Sequence, residues 1–146
     1  MKKITIDNKE YTFEFTIEAS LYDECTLSIM DTFVKGGMVK GAAEDEDVEN
    51  AMSNLLETIA NMPTKALTLF YAGLLEHHGA EGDKTVRSKS DAKKILAKYI
   101  KENEISFRDV FSEMMEIMAD DNFFDLIGLT QMTDEMEENI EDGEDS

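Results

Sequence analysis

Residues 2–16 read Lys-Lys-Ile-Thr-Ile-Asp-Asn-Lys-Glu-Tyr-Thr-Phe-Glu-Phe-Thr. Apolar and polar side chains alternate here with the two-residue period of a strand. Ile4 and Ile6 fall on one side of residues 2–7, and Tyr11, Phe13 and Phe15 on one side of residues 10–16. Asp7-Asn8-Lys9-Glu10 between them forms a short turn, in which Asn8 tolerates positive φ. The pattern predicts a β-hairpin over residues 2–16. A lone hairpin is marginal in water, so its apolar face must rest on the helices encoded downstream.

Those helices follow from apolar spacing and caps. Thr16 caps a helix over 17–34, with Glu18 in its first turn and Ile17, Leu21, Cys25, Ile29 and Phe33 as one stripe. Gly36-Gly37 ends it, and residues 36–47, rich in glycine and acid, predict a mobile loop. Val48, Met52, Leu55, Leu56 and Ile59 predict a helix over 48–60, stopped because Pro63 drives Met62 out of the α region. Pro63 then sits in the first turn of a central helix over 64–77, carrying Leu67, Phe70, Tyr71, Leu74 and Leu75. After a polar loop at 79–89, Ser90 caps a helix over 90–102 whose stripe is Ala92, Ile95, Leu96, Tyr99 and Ile100. Ser106 opens a helix over 106–120, with Phe107, Val110, Phe111, Met114 and Met118 on one face. Asp120-Asp121-Asn122 breaks it, and a short docking helix over 122–128 gathers Phe123, Phe124, Leu126 and Ile127.

The chain has 146 residues, 42% of them apolar, with no Trp and ten Met. That length suits one core and buries about two-thirds of the unfolded surface. The expected fold is α+β, mostly α. A hairpin packs on about five helices in a single domain over 1–130, followed by an acidic disordered tail at 131–146. No apolar run approaches the roughly 18 residues of a membrane span, and the opening residues lack a signal peptide's apolar stretch, which predicts a cytosolic protein. Cys25 is the single cysteine, on the apolar face of its helix, and reads as core.

Formal charge is −19, from 33 acids and 14 bases. Such an excess repels nucleic acid phosphates and anionic membranes, so neither is an expected partner. Five acids lie in residues 44–49 and eight in residues 133–146, which leaves the folded part only modestly acidic.

Chemistry-bearing patterns are sparse. The two histidines, His77 and His78, are adjacent, so on a helix they point about 100° apart and cannot share a metal as an i, i+4 pair does. They read as polar residues at a helix C-terminus, suited to the dipole. No acidic run has the spacing of a calcium loop, and Ser90 and Ser106 are explained as caps. No cofactor is expected, and an enzyme is the least favoured class because no group has an activating partner.

Against the acidic background, Lys84, Arg87, Lys89, Lys93, Lys94, Lys98 and Lys101 place seven bases in 18 residues. Either acids elsewhere in the fold balance this face, or it docks an acidic partner or a second copy of the chain through Lys89, Lys93, Lys94 and Lys98. Met62, Met114, Met115, Met118, Met132 and Met136 are likewise either core filler or a pliable client-binding surface.

The order of features resembles the tail assembly chaperones of long-tailed phages and prophages of Gram-positive bacteria. The resemblance lies in residues 1–15 followed by Thr16-Ile17-Glu18-Ala19-Ser20, in Met62-Pro63, in residues 66–79, in Ser88-Lys89-Ser90-Asp91-Ala92-Lys93-Lys94, and in Phe123-Phe124 with Ile127-Gly128-Leu129. It spans about residues 1–130. It implies a host-cytoplasmic protein, absent from the mature virion, that keeps the tape measure protein soluble and recruits major tail protein, with self-association along the client. Candidate client-binding residues are Phe123, Phe124 and Ile127 together with Leu67, Phe70 and Leu74 on the central helix; each reads equally as core. The rival reading is an acidic inhibitor imitating DNA, which would hold its acids in ordered rows and lose grip steeply with salt.

Overall fold

The computed structural model describes the backbone of residues 1–35 and 48–129, and side chains over 1–32 and 56–129. The expected loop at 36–47, the tail at 131–146, and the side chains of Phe33, Val48, Met52 and Leu55 lie outside the described residues. The fold is α+β and mostly α, with an N-terminal two-stranded hairpin on a set of helices.

Strands β1 (Lys2–Ile6) and β2 (Lys9–Phe13) pair antiparallel, with Ile4 opposite Tyr11 and Ile6 opposite Lys9. Asp7 and Asn8 alone form the loop, at φ 51° and 64°. Two left-handed residues are what a twist-matched two-residue hairpin loop requires. Ile6, Tyr11 and Phe13 are buried. Past β2 the chain crosses a helix so closely that the Glu14 amide donates to the Gly73 carbonyl at 3.0 Å.

That crossing explains Gly73. A Cβ there would lie 3.1 Å from the rings of both Phe13 and Phe15, which are themselves fully enclosed. Gly73→Ala gains about 0.5–1 kcal/mol of helix propensity but incurs about 1–3 kcal/mol of overpacking. The expected outcome in urea unfolding is a net loss of about 1 kcal/mol; a gain would show that the hairpin can shift freely.

The expected helix over 17–34 is two helices, α1 (Ile17–Ser20) and α2 (Asp23–Lys35). Thr16 caps α1 as expected, accepting from the Glu18 amide and donating its hydroxyl proton to Glu76 at 2.9 Å. The inward residues are Ala19, Tyr22 and Cys25, three apart. In one straight helix two such steps would swing the third side chain about 120° away from the first, so the chain breaks at Leu21-Tyr22. Ile17 and Leu21, expected on the buried stripe, are 63% and 70% exposed. Tyr22 instead sets its ring edge-on to Tyr71, 5.3 Å between centroids.

The two helices expected over 48–60 and 64–77 are a single 31-residue helix, α3 (Val48–His78), with Pro63 inside it. Pro63 removes the amide that would bond to the Ile59 carbonyl. Ile59 and Pro63 are both exposed, so water can satisfy that carbonyl. Packing of the segment that follows Pro63 offsets the roughly 3 kcal/mol helix penalty. Lys65 pairs with Asp31 of α2 at 2.8 Å, and Ala66, Leu69, Phe70, Ala72 and Leu74 are completely buried. The central position expected for this segment holds.

Helix α4 (Lys89–Asn103) is capped by Ser88, whose oxygen accepts from the Asp91 amide, and not by Ser90. Asp91 in turn accepts from the Arg87 amide, an acid three residues after its serine. Helix α5 (Phe107–Asp120) has the expected cap at Ser106, completed into a box by Asp109. Asn122, at φ 58°, turns the chain into the one-turn α6 (Phe123–Leu126). Asp121 in that break accepts from the Phe15 amide at 2.9 Å, tying α5 to the hairpin exit. The core joins all of these: Phe13 packs on Phe70 with centroids 4.9 Å apart, Phe15 on Phe123 at 5.6 Å, and Met114 and Met118 fill the α5 side.

Candidate functional site

The groups most suited to chemistry are occupied in holding the fold. His77 Nε2 lies 3.1 Å from Glu14 Oε1. His78 is buried, and the Thr12 amide donates to its Nε2 at 2.9 Å. That bond assigns the neutral ring's proton to Nδ1, which donates to Asp83 at 3.0 Å. The histidines at the α3 terminus thus clamp the hairpin to it. Cys25 is fully buried, and burial pushes its thiol up to about 12, far from a thiolate nucleophile. Among the described residues no three His, Cys, Asp or Glu gather as a metal would need, and no helix is long and apolar enough to cross a membrane.

The Asp83 carboxyl is held down to about 2, first by the Thr85 side chain, against desolvation as the next-largest effect, with the Thr85 amide and His78 adding smaller downward contributions. A carboxyl lowered on folding stabilises the fold fully above its unfolded value near 4 and loses that contribution as pH falls toward 2. Asp83→Asn is therefore expected to flatten the acid limb of a stability-versus-pH curve between about pH 4 and 2; an unchanged limb would place the dependence elsewhere.

The surface feature with the most capacity to bind is an apolar trough where α3, α4 and α5 diverge. Pro63 and Leu67 of α3, Leu96 and Ile100 of α4, and Phe107 of α5 enclose a cleft of about 450 Å³. Pro63 and Phe107 also border a second cleft of about 580 Å³, which adds Ile59, Met62 and Arg108. Pro63 and Phe107 thus line both clefts, which together are called the trough. Local sequence sets this geometry. The capping box at Ser106 fixes Phe107 at the first position of α5, where its ring remains 38% exposed. The exposed Pro63 cannot donate a backbone hydrogen bond, and Ile59 one turn earlier is 60% exposed.

Charge sharpens the picture. Among the described residues no carboxylate lines either cleft, whereas Lys93 and Arg108 do. That is unusual in a chain with 33 acids and 14 bases. A third cleft, of about 300 Å³ between α2 and α3, is different in kind: its Glu24, Asp31 and Lys65 are already engaged in ion pairs.

The comparisons give no relative. No family model matches the chain, nor does any curated protein or solved structure.

Of the client-binding residues expected from sequence, Phe70, Leu74 and Phe123 are fully buried and offer no surface. They are core because β2 and Phe15 close over them. Phe124 and Ile127 are partly buried against the same core. Leu67 alone lines the trough. Of the basic residues proposed for self-association, Lys89 is bound to Glu24 at 2.8 Å and Lys98 to Asp7 at 3.0 Å, both within the chain. Lys93 and Lys94 are exposed and have no ion pair among the described residues. The sequence reading missed Ile59, Pro63, Ile100 and Phe107 as a joint surface. Three helices contribute to it, and no single stripe contains it. Its one local signal is Phe107 directly after a capping serine, an apolar residue at a helix end.

Proposed function

We propose that this chain is a phage tail assembly chaperone. It binds the tape measure protein, keeps it soluble, and yields it as major tail protein polymerises, in the bacterial host cytoplasm and outside the mature virion. Support comes from the resemblance over residues 1–130 and from the hairpin-plus-helices body, but the observation that carries the reading is the trough. An open apolar groove without lining carboxylates among the described residues suits one face of an amphipathic helix, read as anchors at i, i+3, i+4 and i+7. A long helical client with exposed apolar stripes presents many such faces, and the net charge of the keeper maintains solubility once copies crowd along it.

Co-expression with the tape measure protein of the same genome tests this. The reading expects the large protein to remain in the soluble fraction and to co-purify; its aggregation at normal chaperone levels would overturn the assignment. The trough itself makes a sharper forecast. Phe107→Asp is expected to weaken client-peptide binding by at least about 30-fold, the scale of an interfacial hot spot. Because the ring is part-exposed at a helix end, thermal stability should change little. Calorimetric titration with unaltered affinity would remove Phe107 from the site.

A further inference from the structure

We propose that the trough selects its partner by charge, taking helices whose apolar face is bordered by acids, with Lys93 and Arg108 as the selecting residues. The proposal rests on the trough being the binding site.

Lys93 borders the cleft between α3, α4 and α5, and Arg108 borders the adjoining one. A helix occupying both clefts therefore meets both cations. The fold neutralises comparable cations and leaves these two. On α4, Lys89 binds Glu24 at 2.8 Å and Lys98 binds Asp7 at 3.0 Å, and on α3 Lys65 binds Asp31 at 2.8 Å. Lys93 and Arg108 are exposed and have no ion pair among the described residues. Asp109, next to Arg108, is committed to the cap of α5, where it accepts from the Ser106 amide at 2.9 Å.

Size fits two turns of a helix. Ile59 and Leu67, from the two clefts, are eight residues apart on α3, or about 12 Å along its axis. Anchors at i and i+7 of a bound helix are about 10.5 Å apart. Seating such a helix removes water from the heads of Lys93 and Arg108. A carboxylate beside the bound apolar face offsets that loss, whereas a lysine there adds like-charge repulsion.

The overall charge of −19 acts in the opposite sense. It repels an acidic helix at long range, but at physiological ionic strength the interaction fades beyond about 8 Å. Contact pairs act inside that distance. A preference for acids is thus a property of the trough and opposite to what the net charge alone would give.

The test uses two designed peptides of about 18 residues, roughly 27 Å as a helix, titrated calorimetrically into the intact chain. Both carry leucines at i, i+3, i+4 and i+7, and they differ in having glutamates or lysines beside that face. Two exposed contacts changed from attraction to repulsion shift affinity by about tenfold, so the glutamate peptide should bind about tenfold tighter. Lys93→Glu/Arg108→Glu should reverse the order. If that variant fails to fold by circular dichroism, Lys93→Gln/Arg108→Gln replaces it and should abolish the preference. Phe107→Ala should weaken both peptides. Equal affinities in the parent chain, tighter binding of the lysine peptide, or a glutamate preference that survives the charge change would overturn the selectivity and leave the trough as the site. Binding by neither peptide, or binding indifferent to Phe107→Ala, would overturn the trough as the site and the selectivity with it.

Discussion

Phe123→Ala is expected to lower the unfolding free energy by about 3–5 kcal/mol, the range for truncating a fully enclosed aromatic ring. The ring has no exposed surface and lies 5.6 Å from that of Phe15. Phe15 in turn is pressed against Gly73 of α3. Deleting the Phe123 ring opens a cavity where the hairpin exit, the end of α5 and the centre of α3 meet. It also removes the one buried side chain of α6, a helix of a single turn. Urea unfolding followed by circular dichroism measures the effect. A loss under about 1 kcal/mol would mean that the ring is not core, and would return it to the candidates for client contact.

His78→Ala should be the most damaging polar substitution, costing about 3 kcal/mol. It leaves the Thr12 amide without its acceptor, at about 1–3 kcal/mol for an orphaned buried donor, and it removes the ring that packs edge-on against Tyr11. At present every buried side-chain polar atom among the described residues has a partner. His78→Gln can offer a carbonyl oxygen to Thr12, so it should recover at least about 1 kcal/mol relative to alanine. Equal losses for the two variants would contradict the hydrogen-bond account and leave ring packing as the whole effect.

The parts of the fold legible in the sequence are those that a single local rule decides. The hairpin needed only a two-residue period and an Asn in the turn. Helix α5 needed a serine cap followed by an acid three residues on. The same rule places the α4 cap at Ser88, because Asp91 stands three residues after Ser88; the apparent capping by Ser90 ignored that partner. Elsewhere tertiary contacts overrode local preference. Pro63 stops a helix in isolation but not this one, anchored directly after the proline by Lys65 with Asp31 and by the buried run from Ala66 to Leu74. The stripe from Ile17 to Phe33 looked continuous at a step of four, yet the burial of Ala19 and Tyr22 breaks it.

The site was less legible than the fold for a related reason. Phe70, Leu74 and Phe123 have the composition of a binding face and the environment of a core, and sequence reports only the first. Leu67, on the same helix, reaches the trough because it points between α4 and α5. The trough exists only once α3, α4 and α5 are set beside one another, and its lack of lining carboxylates among the described residues cannot be read from a chain whose overall charge is −19.

Site-directed photo-crosslinking tests the central claim, that this trough holds the client, with fewest intervening steps. A benzoylphenylalanine placed at position 107 in the intact chain, co-expressed with the tape measure protein and irradiated, should give a covalent adduct to that protein. The same group at Leu21, exposed but outside the trough lining, serves as the control. An adduct at position 107 and none at position 21 is the predicted result. No adduct at position 107, or equal yields at both positions, would contradict it.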